Sequence, residues 1–199
     1  MADLEKTRKN LEGRGFRVHR FASGAEAAEF LVQTLHGTSI GIGGSVTIDT
    51  LGVYDRLCGS NEVFWHWKNH APETRERAGK AETYLCSANG VSENGEIVNI
   101  DGFGNRVAGT IYGPERVFLV VGRNKIAPDL TGAIDRARNI AAPLNARRLN
   151  RHTPCAVGEP RCHDCRSPEK ICGVMTVFFM PPTSIKEFHV ILVDEDLGY

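Results

Sequence analysis

Residues Arg116–Gly122 read RVFLVVG, the clearest buried strand in the chain. An unbroken apolar run of this length needs a sheet around it, and the rest of the sequence supplies one. Further strands are expected at Phe16–Phe21, in TSIGIGG from Thr38, at Glu82–Asn89, at Glu96–Asp101, and in MTVFFM and FHVILVD near the C-terminus. Helical segments lie between them. A charged helix is expected over residues 3–13. A second follows Ser23, which has Glu26 three residues on in a capping-box pattern, and runs to about Leu35. A third is expected from Thr47 to Leu57, and Pro72 opens a short one in the polar stretch 58–81. The strongest helix follows Pro128, where Leu130, Ile134, Ala137, Ala141 and Leu144 form one apolar stripe that Pro143 is expected to kink or end. Strands alternating with helices predict an α/β fold with a mostly parallel sheet flanked by helices. No repeat or low-complexity linker divides the 199 residues, so a single domain spanning 1–199 is expected, with a cysteine-rich segment at 154–173.

That segment, PCAVGEPRCHDCRSPEKIC, spaces Cys155, Cys162, Cys165 and Cys172 as C-x6-C-x2-C-x6-C. Thiolates are soft ligands suited to zinc and iron–sulfur clusters, and the central C-x2-C is a chelating spacing. The outer gaps match neither a zinc ribbon nor a ferredoxin. Structural thiols, a disulfide or a Cys162–Cys165 redox pair therefore stay open beside the metal reading. Cys58 and Cys86 are isolated and read as ordinary thiols.

Lys plus Arg equals Asp plus Glu at 24 each, a balance that argues against general binding to nucleic acid or an acidic membrane. No apolar run is long enough to span a bilayer, and the charged N-terminus lacks a signal peptide's apolar core, so a cytoplasmic protein is expected. Hydrophobic residues make up 41 %, enough for a packed core.

Ligands of open α/β sheets sit beyond the carboxyl ends of the strands, and three polar loops follow strands here. In the first, Gly43 and Gly44 allow close backbone approach, and Ser45 and Thr47 add hydroxyls suited to a phosphate or carboxylate. The second pairs SANG, with Asn89, and DGFGNR, where Asp101, Asn105 and Arg106 stand together; the guanidinium suits a carboxylate. The third, GRNK, contributes Asn124 and Lys125. A small anionic ligand is the common denominator, and tight turns are the alternative at each loop. The WHW triplet around His66 reads as a packing cluster, a stacking surface or a lid, and with the first helix it could serve a homo-oligomer interface. His163, inside the C-x2-C, is a candidate substitute ligand or second-sphere donor. No G-x-S-x-G elbow and no H-E-x-x-H is present.

Taken together, GGSVT at 43–47, Asn89, GEIVNIDGFGNRVAG at 95–109, IYGPERVFLVVGRNK at 111–125, NIAAPLNARRL at 139–149, the cysteine segment and VILVDEDLGY at 190–199 resemble the LUD (lactate-utilisation domain) family, which includes lactate-utilisation protein C and many short relatives. The resemblance covers nearly the whole chain in order. It implies a fold like the NagB/RpiA/CoA-transferase group and a place in oxidation of L-lactate to pyruvate beside partner proteins carrying iron–sulfur clusters. It carries over to the loop residues and to the four clustered cysteines as positions, without assigning a catalytic residue. One departure is SANGVS at 87–92, where relatives usually read STNAIT, so Ala88 lacks a threonine hydroxyl. The expected function is an accessory protein in organic-acid metabolism. The alternatives are an isomerase or transferase acting on a sugar phosphate or CoA ester, with Asp101 or Glu82 as general base, and a non-catalytic metabolite or metal sensor.

Overall fold

A computed structural model describes residues 2–199. The chain opens with α1 (Leu4–Gly13), capped by the Asp3 carboxylate, which accepts from the Lys6 amide at 2.9 Å. After β1 (Arg17–Phe21), α2 (Gly24–Thr34) is capped by Ser23. Glu26 reaches one residue further back than a standard capping box and accepts from the Ala22 amide. Beyond β2 (Ser39–Ile42), the helix expected over residues 47–57 is two short ones, α3 (Val46–Leu51) and α4 (Tyr54–Cys58). Gly52 separates them at φ +64°, a left-handed cap that glycine adopts without penalty.

The stretch 58–81 holds a strand as well as the short helix: β3 (Glu62–Trp65) precedes α5 (Thr74–Gly79). Then follow β4 (Thr83–Ser87), β5 (Gly90–Ser92), β6 (Ile97–Asp101), α6 (Asn105–Ile111), β7 (Arg116–Gly122) and β8 (Ile126–Ala127). The last part contains α7 (Leu130–Arg136), α8 (Ala142–Arg148), α9 (Pro154–Val157), β9 (Val174–Phe178) and β10 (Glu187–Val193). α7 and α8 are one continuous helix joined by a π-helical segment, Ala137–Ala141. Pro143 therefore does not end the helix. Its ring and missing N–H disturb the preceding turn, and the wider π turn just before it absorbs the disturbance.

Six strands form one parallel sheet in the order β1-β10-β7-β4-β2-β3, as the strand–helix alternation predicts. A second, mostly antiparallel sheet, β8-β5-β6-β9, was not expected from the sequence pattern. β7 lies inside the main sheet and explains its own composition. Val117, Leu119 and Val121 face one core with Leu4 and Leu11 of α1; Phe118 and Val120 face another with Ala27 and Leu31 of α2. With both faces covered, no polar position is tolerated. The α7–α8 helix packs on the small sheet through Ala133, Ala137 and Ala142, small enough for close approach. Gly90 is part of that approach, since a Cβ there would stand 2.5 Å from the Ala133 carbonyl oxygen. No helix among the described residues is long and apolar enough to cross a membrane.

Candidate functional site

A cavity of about 880 Å³ opens beyond the carboxyl ends of β2, β4 and β7. The parallel main sheet delivers the segments after β2, β4 and β7 to one edge, and the second sheet adds the end of β6 beside them. The loop after β2 contributes Gly44, Ser45 and Thr47; the segments after β4 and β6 contribute Asn89, Asp101, Asn105 and Arg106; the turn after β7 contributes Lys125. His66, Trp67 and Arg75 form another wall, with Arg148 of α8 packed over the Trp67 ring.

Lys125 is the unusual member. It is 3 % exposed, and its Nζ donates to Thr47 Oγ1 at 2.7 Å and to Ser87 Oγ at 2.8 Å. Each hydroxyl uses its single proton elsewhere: Thr47 donates to the Leu197 carbonyl and Ser87 to the Val120 carbonyl. Both hydroxyls are thereby set as acceptors from the amine. Among the described residues no carboxylate hydrogen-bonds to Lys125. Burial, reinforced by the charges of Arg136 and Arg106, pulls its pKa well below the usual lysine range.

Arg106 is anchored through one nitrogen, Nη2, which donates to Asn89 Oδ1 and to the Ile100 carbonyl. Asn89 Oδ1 also accepts from the Ile100 amide at 2.9 Å, so the asparagine locks β6 to the loop after β4. Asp101 is occupied as a local clasp. Its Oδ1 accepts from the Gly102 amide, and its Oδ2 accepts from the amides of Arg106 and Val107 at the start of α6. This leaves Asp101 poorly placed as a general base. Glu82 stands just before β4, at the opposite edge of the sheet from the cavity, and pairs with Arg116 at 3.0 Å. Gly43 lies behind the wall rather than in it: its amide donates to the Leu85 carbonyl, and a Cβ would meet the Tyr84 hydroxyl at 3.0 Å and Arg106 Cγ at 3.1 Å. Asn124 is also outside the cavity and ties down the tail, donating to the Gly198 carbonyl and accepting from the Leu197 amide. Ser45 caps α3 through the Ile48 amide.

The charge of the cavity is positive. Of its acids, Asp49 pairs with Lys68 at 2.9 Å, Glu169 accepts from the His152 amide, and Asp101 is clasped as above. Arg75 lies over the Phe103 ring and Arg148 over the Trp67 ring, and neither has a carboxylate partner among the described residues. His66 has a buried Nδ1 with no hydrogen-bond partner. Its pKa is lowered by burial and by the charge of Arg75, with Asp101 opposing. Trp65 is fully buried core, whereas His66 and Trp67 line the cavity, so the WHW triplet divides between packing and site.

Arg136 escaped the sequence reading. It is buried on the inner face of α7, where it donates to the carbonyls of Asn124 and Asn89, so one side chain braces two of the three loops. Burial lowers its pKa to about 10. The available signal was an arginine between Ala133 and Ala137 on the buried face of an otherwise apolar stripe.

All six cysteines are free thiols. Cys86 is a buried thiol whose pKa is pushed up to about 12 by burial. Cys155, Cys162, Cys165 and Cys172 all border one small cavity of about 20 Å³. Cys162 Sγ accepts from Arg138 and from the Asp164 amide, both at 3.4 Å. Burial raises the Cys172 pKa, and the other three thiols add to that rise. Among the described residues, no three His, Cys, Asp or Glu side chains are drawn close enough to hold a metal ion as they stand. The four sulfurs are nevertheless a soft donor set around one void. That void has room for one water-sized atom, which a single ion fits and a cluster exceeds unless the segment opens. His163 borders the same void. Ala142, Lys170 and Ile171 are walls of both cavities. Gly102 permits this contact, since a Cβ there would lie 2.7 Å from Ile171 Cα.

A family model described as the LUD domain matches residues 4–193. The crystal structure of a DUF162 family protein from Deinococcus radiodurans is similar in fold, with a TM-score of 0.56 and 14 % identity over 96 % of this chain and 95 % of that one. No curated protein matches the chain.

Proposed function

Because the chain belongs to the LUD domain family, which is associated with lactate utilisation, we propose that its cavity binds a small organic-acid anion and that the protein is an accessory component of L-lactate oxidation to pyruvate. The observation that carries this reading is the convergence of Arg106, Arg75 and Arg148 on one cavity, which the buried Lys125 amine also borders, with its few acids already engaged. Arg106 would hold the carboxylate, and Asn89 fixes its guanidinium. The cysteine segment would bind zinc or an iron–sulfur cluster through Cys155, Cys162, Cys165 and Cys172, or dock an iron–sulfur partner protein. The shared wall of Ala142, Lys170 and Ile171 supports that coupling, because whatever the thiols bind would sit against the anion site.

A second reading is favoured by size. A cavity of about 880 Å³ is far larger than a three-carbon acid needs and falls within the range of pockets for larger metabolites. A sugar phosphate or CoA ester would use the same cations, although the clasped Asp101 and the distant Glu82 leave that chemistry without the base expected for it.

Titration calorimetry with L-lactate, pyruvate, ribose 5-phosphate and acetyl-CoA separates the two readings. Arg106→Ala is expected to weaken binding of the preferred anion about tenfold or more, the worth of one charge-assisted hydrogen bond. Unchanged affinity would remove Arg106 from the site, and heat from none of the four would remove the anion reading.

A further inference from the structure

Within the organic-acid reading, on which this inference rests, we propose that Lys125 is a nucleophilic amine that condenses with the carbonyl of a 2-oxo acid, such as pyruvate, to form an imine. The ligand class is thereby narrowed from organic acids in general to those carrying a carbonyl beside the carboxylate.

The geometry around the amine supports this. Thr47 and Ser87 each donate their only hydroxyl proton to a backbone carbonyl, so each can only accept from Nζ. Two amine protons are thus held at 2.7 and 2.8 Å, and the remaining tetrahedral position has no protein partner. In the ammonium form that position is an unpaired N–H; in the neutral amine it is the lone pair. A buried structural lysine would have a carboxylate there. Instead the charges of Arg136 and Arg106, both positive, act on it and favour the neutral form, with Cys86 opposing more weakly. Lys125 borders the cavity that Arg106 also lines. Because the Arg106 charge also acts on the Lys125 amine, a carboxylate held by Arg106 would share the cavity with that amine.

The condensation balances without any redox partner. The Nζ lone pair forms a C–N bond to the carbonyl carbon while the carbonyl oxygen takes up a proton. The resulting carbinolamine loses that oxygen as water, with a second proton leaving nitrogen, and the imine remains. A 2-hydroxy acid such as lactate has only the resonance-stabilised carboxylate and no ketone carbonyl, so it forms no imine. The other buried nucleophile nearby, Cys86, is held as an unreactive thiol by burial.

The test is reductive trapping. Full-length protein is incubated with pyruvate and cyanoborohydride near neutral pH, then weighed intact and mapped by peptide mass spectrometry; L-lactate replaces pyruvate in the control. The expected result is a single reduced adduct on Lys125 with pyruvate, none with lactate, and its loss in both Lys125→Met and Lys125→Arg. Because the wild-type adduct is itself mapped, the outcome does not depend on either variant folding. Calorimetric binding of pyruvate without an adduct would overturn the imine and leave the carboxylate site intact. Adducts scattered over exposed lysines, at a yield unchanged in the variants, would overturn it equally. Neither heat nor adduct would overturn the organic-acid reading together with it.

Discussion

Replacing Lys125 with methionine is expected to stabilise the fold while abolishing carbonyl capture. The two side chains are of similar length and volume, so the substitution leaves little void. Thr47 and Ser87 keep their own donations to the Leu197 and Val120 carbonyls, so no hydroxyl proton is stranded. What disappears is an amine that is 3 % exposed and has no ion partner. Burying such a group costs several kcal/mol even after relaxation, and its two hydrogen bonds return about 1–3 kcal/mol. The net gain on substitution is then about 1–3 kcal/mol, which in a chain of this size raises Tm by roughly 5 °C. The gain depends on pH. Below the lowered folded-state pKa, the amine is protonated in both states and the folded state bears the whole penalty. Above the ordinary lysine pKa of about 10.4, both states are neutral and the penalty is gone. Wild-type stability rises with pH across the window between, and the variant lacks that slope. Scanning calorimetry of both proteins near neutral pH and again near pH ~10 should show a Tm gap that narrows with alkalinity. A variant that melts several degrees below wild type at neutral pH, with no change in the gap, would refute the reasoning and make Lys125 a structural residue.

Other outcomes follow from the same structure. Gly109→Ala would place a Cβ 2.5 Å from ring carbons of buried Tyr84, and overpacking of that kind should lower stability by about 1–3 kcal/mol; an unchanged melting curve would contradict the packing. His19 and His189 lie 3.0 Å apart between β1 and β10, and burial lowers the pKa of both. Arg17 adds to the shift on His19, while Glu187 opposes it on His189. Their contribution is complete above the unfolded pKa near ~6.5 and is lost as pH falls towards their folded values, so Tm should drop on acidification from about pH 7.5, less steeply in His189→Phe. Metal and sulfide analysis of protein purified without oxygen is expected to find zinc, or iron with sulfide, in amounts that Cys162→Ser and Cys172→Ser reduce. A metal-free wild-type protein would leave the segment to thiol chemistry or partner docking.

Much of this protein is readable along the chain. RVFLVVG, the stripe after Pro128, and the cap at Ser23 act through neighbours within a few residues, so their hydrogen bonds and periodicity are written locally. The same holds for the polar loops at strand ends: the parallel sheet gathers those after β2, β4 and β7 at one edge, and DGFGNR joins them from β6 of the second sheet. Other features were misread because their causes are distant or single. Gly52 at φ +64° splits one expected helix into two, and a π turn before Pro143 joins what a proline was expected to part. In the second sheet β6 and β9 are legible as strands, but β5 and β8 have too few residues to show a period, and pairing alone defines them.

The site divides in the same way. Sequence by itself determined which side chains bear the charge and thiols, and that glycine-rich turns follow the strands, because composition and short-range periodicity are local properties. Tertiary structure alone decided that Gly43 and Asn124 stand behind the cavity while Arg136 braces it, and that the four cysteines border a small void sharing walls with that cavity. It also decided that Lys125 is buried against two hydroxyls rather than solvated. Thr47 and Ser87 precede Lys125 by 78 and 38 residues in the chain. Only the order in which β2, β4 and β7 pair brings them together, and that order is set by long-range burial of both sheet faces.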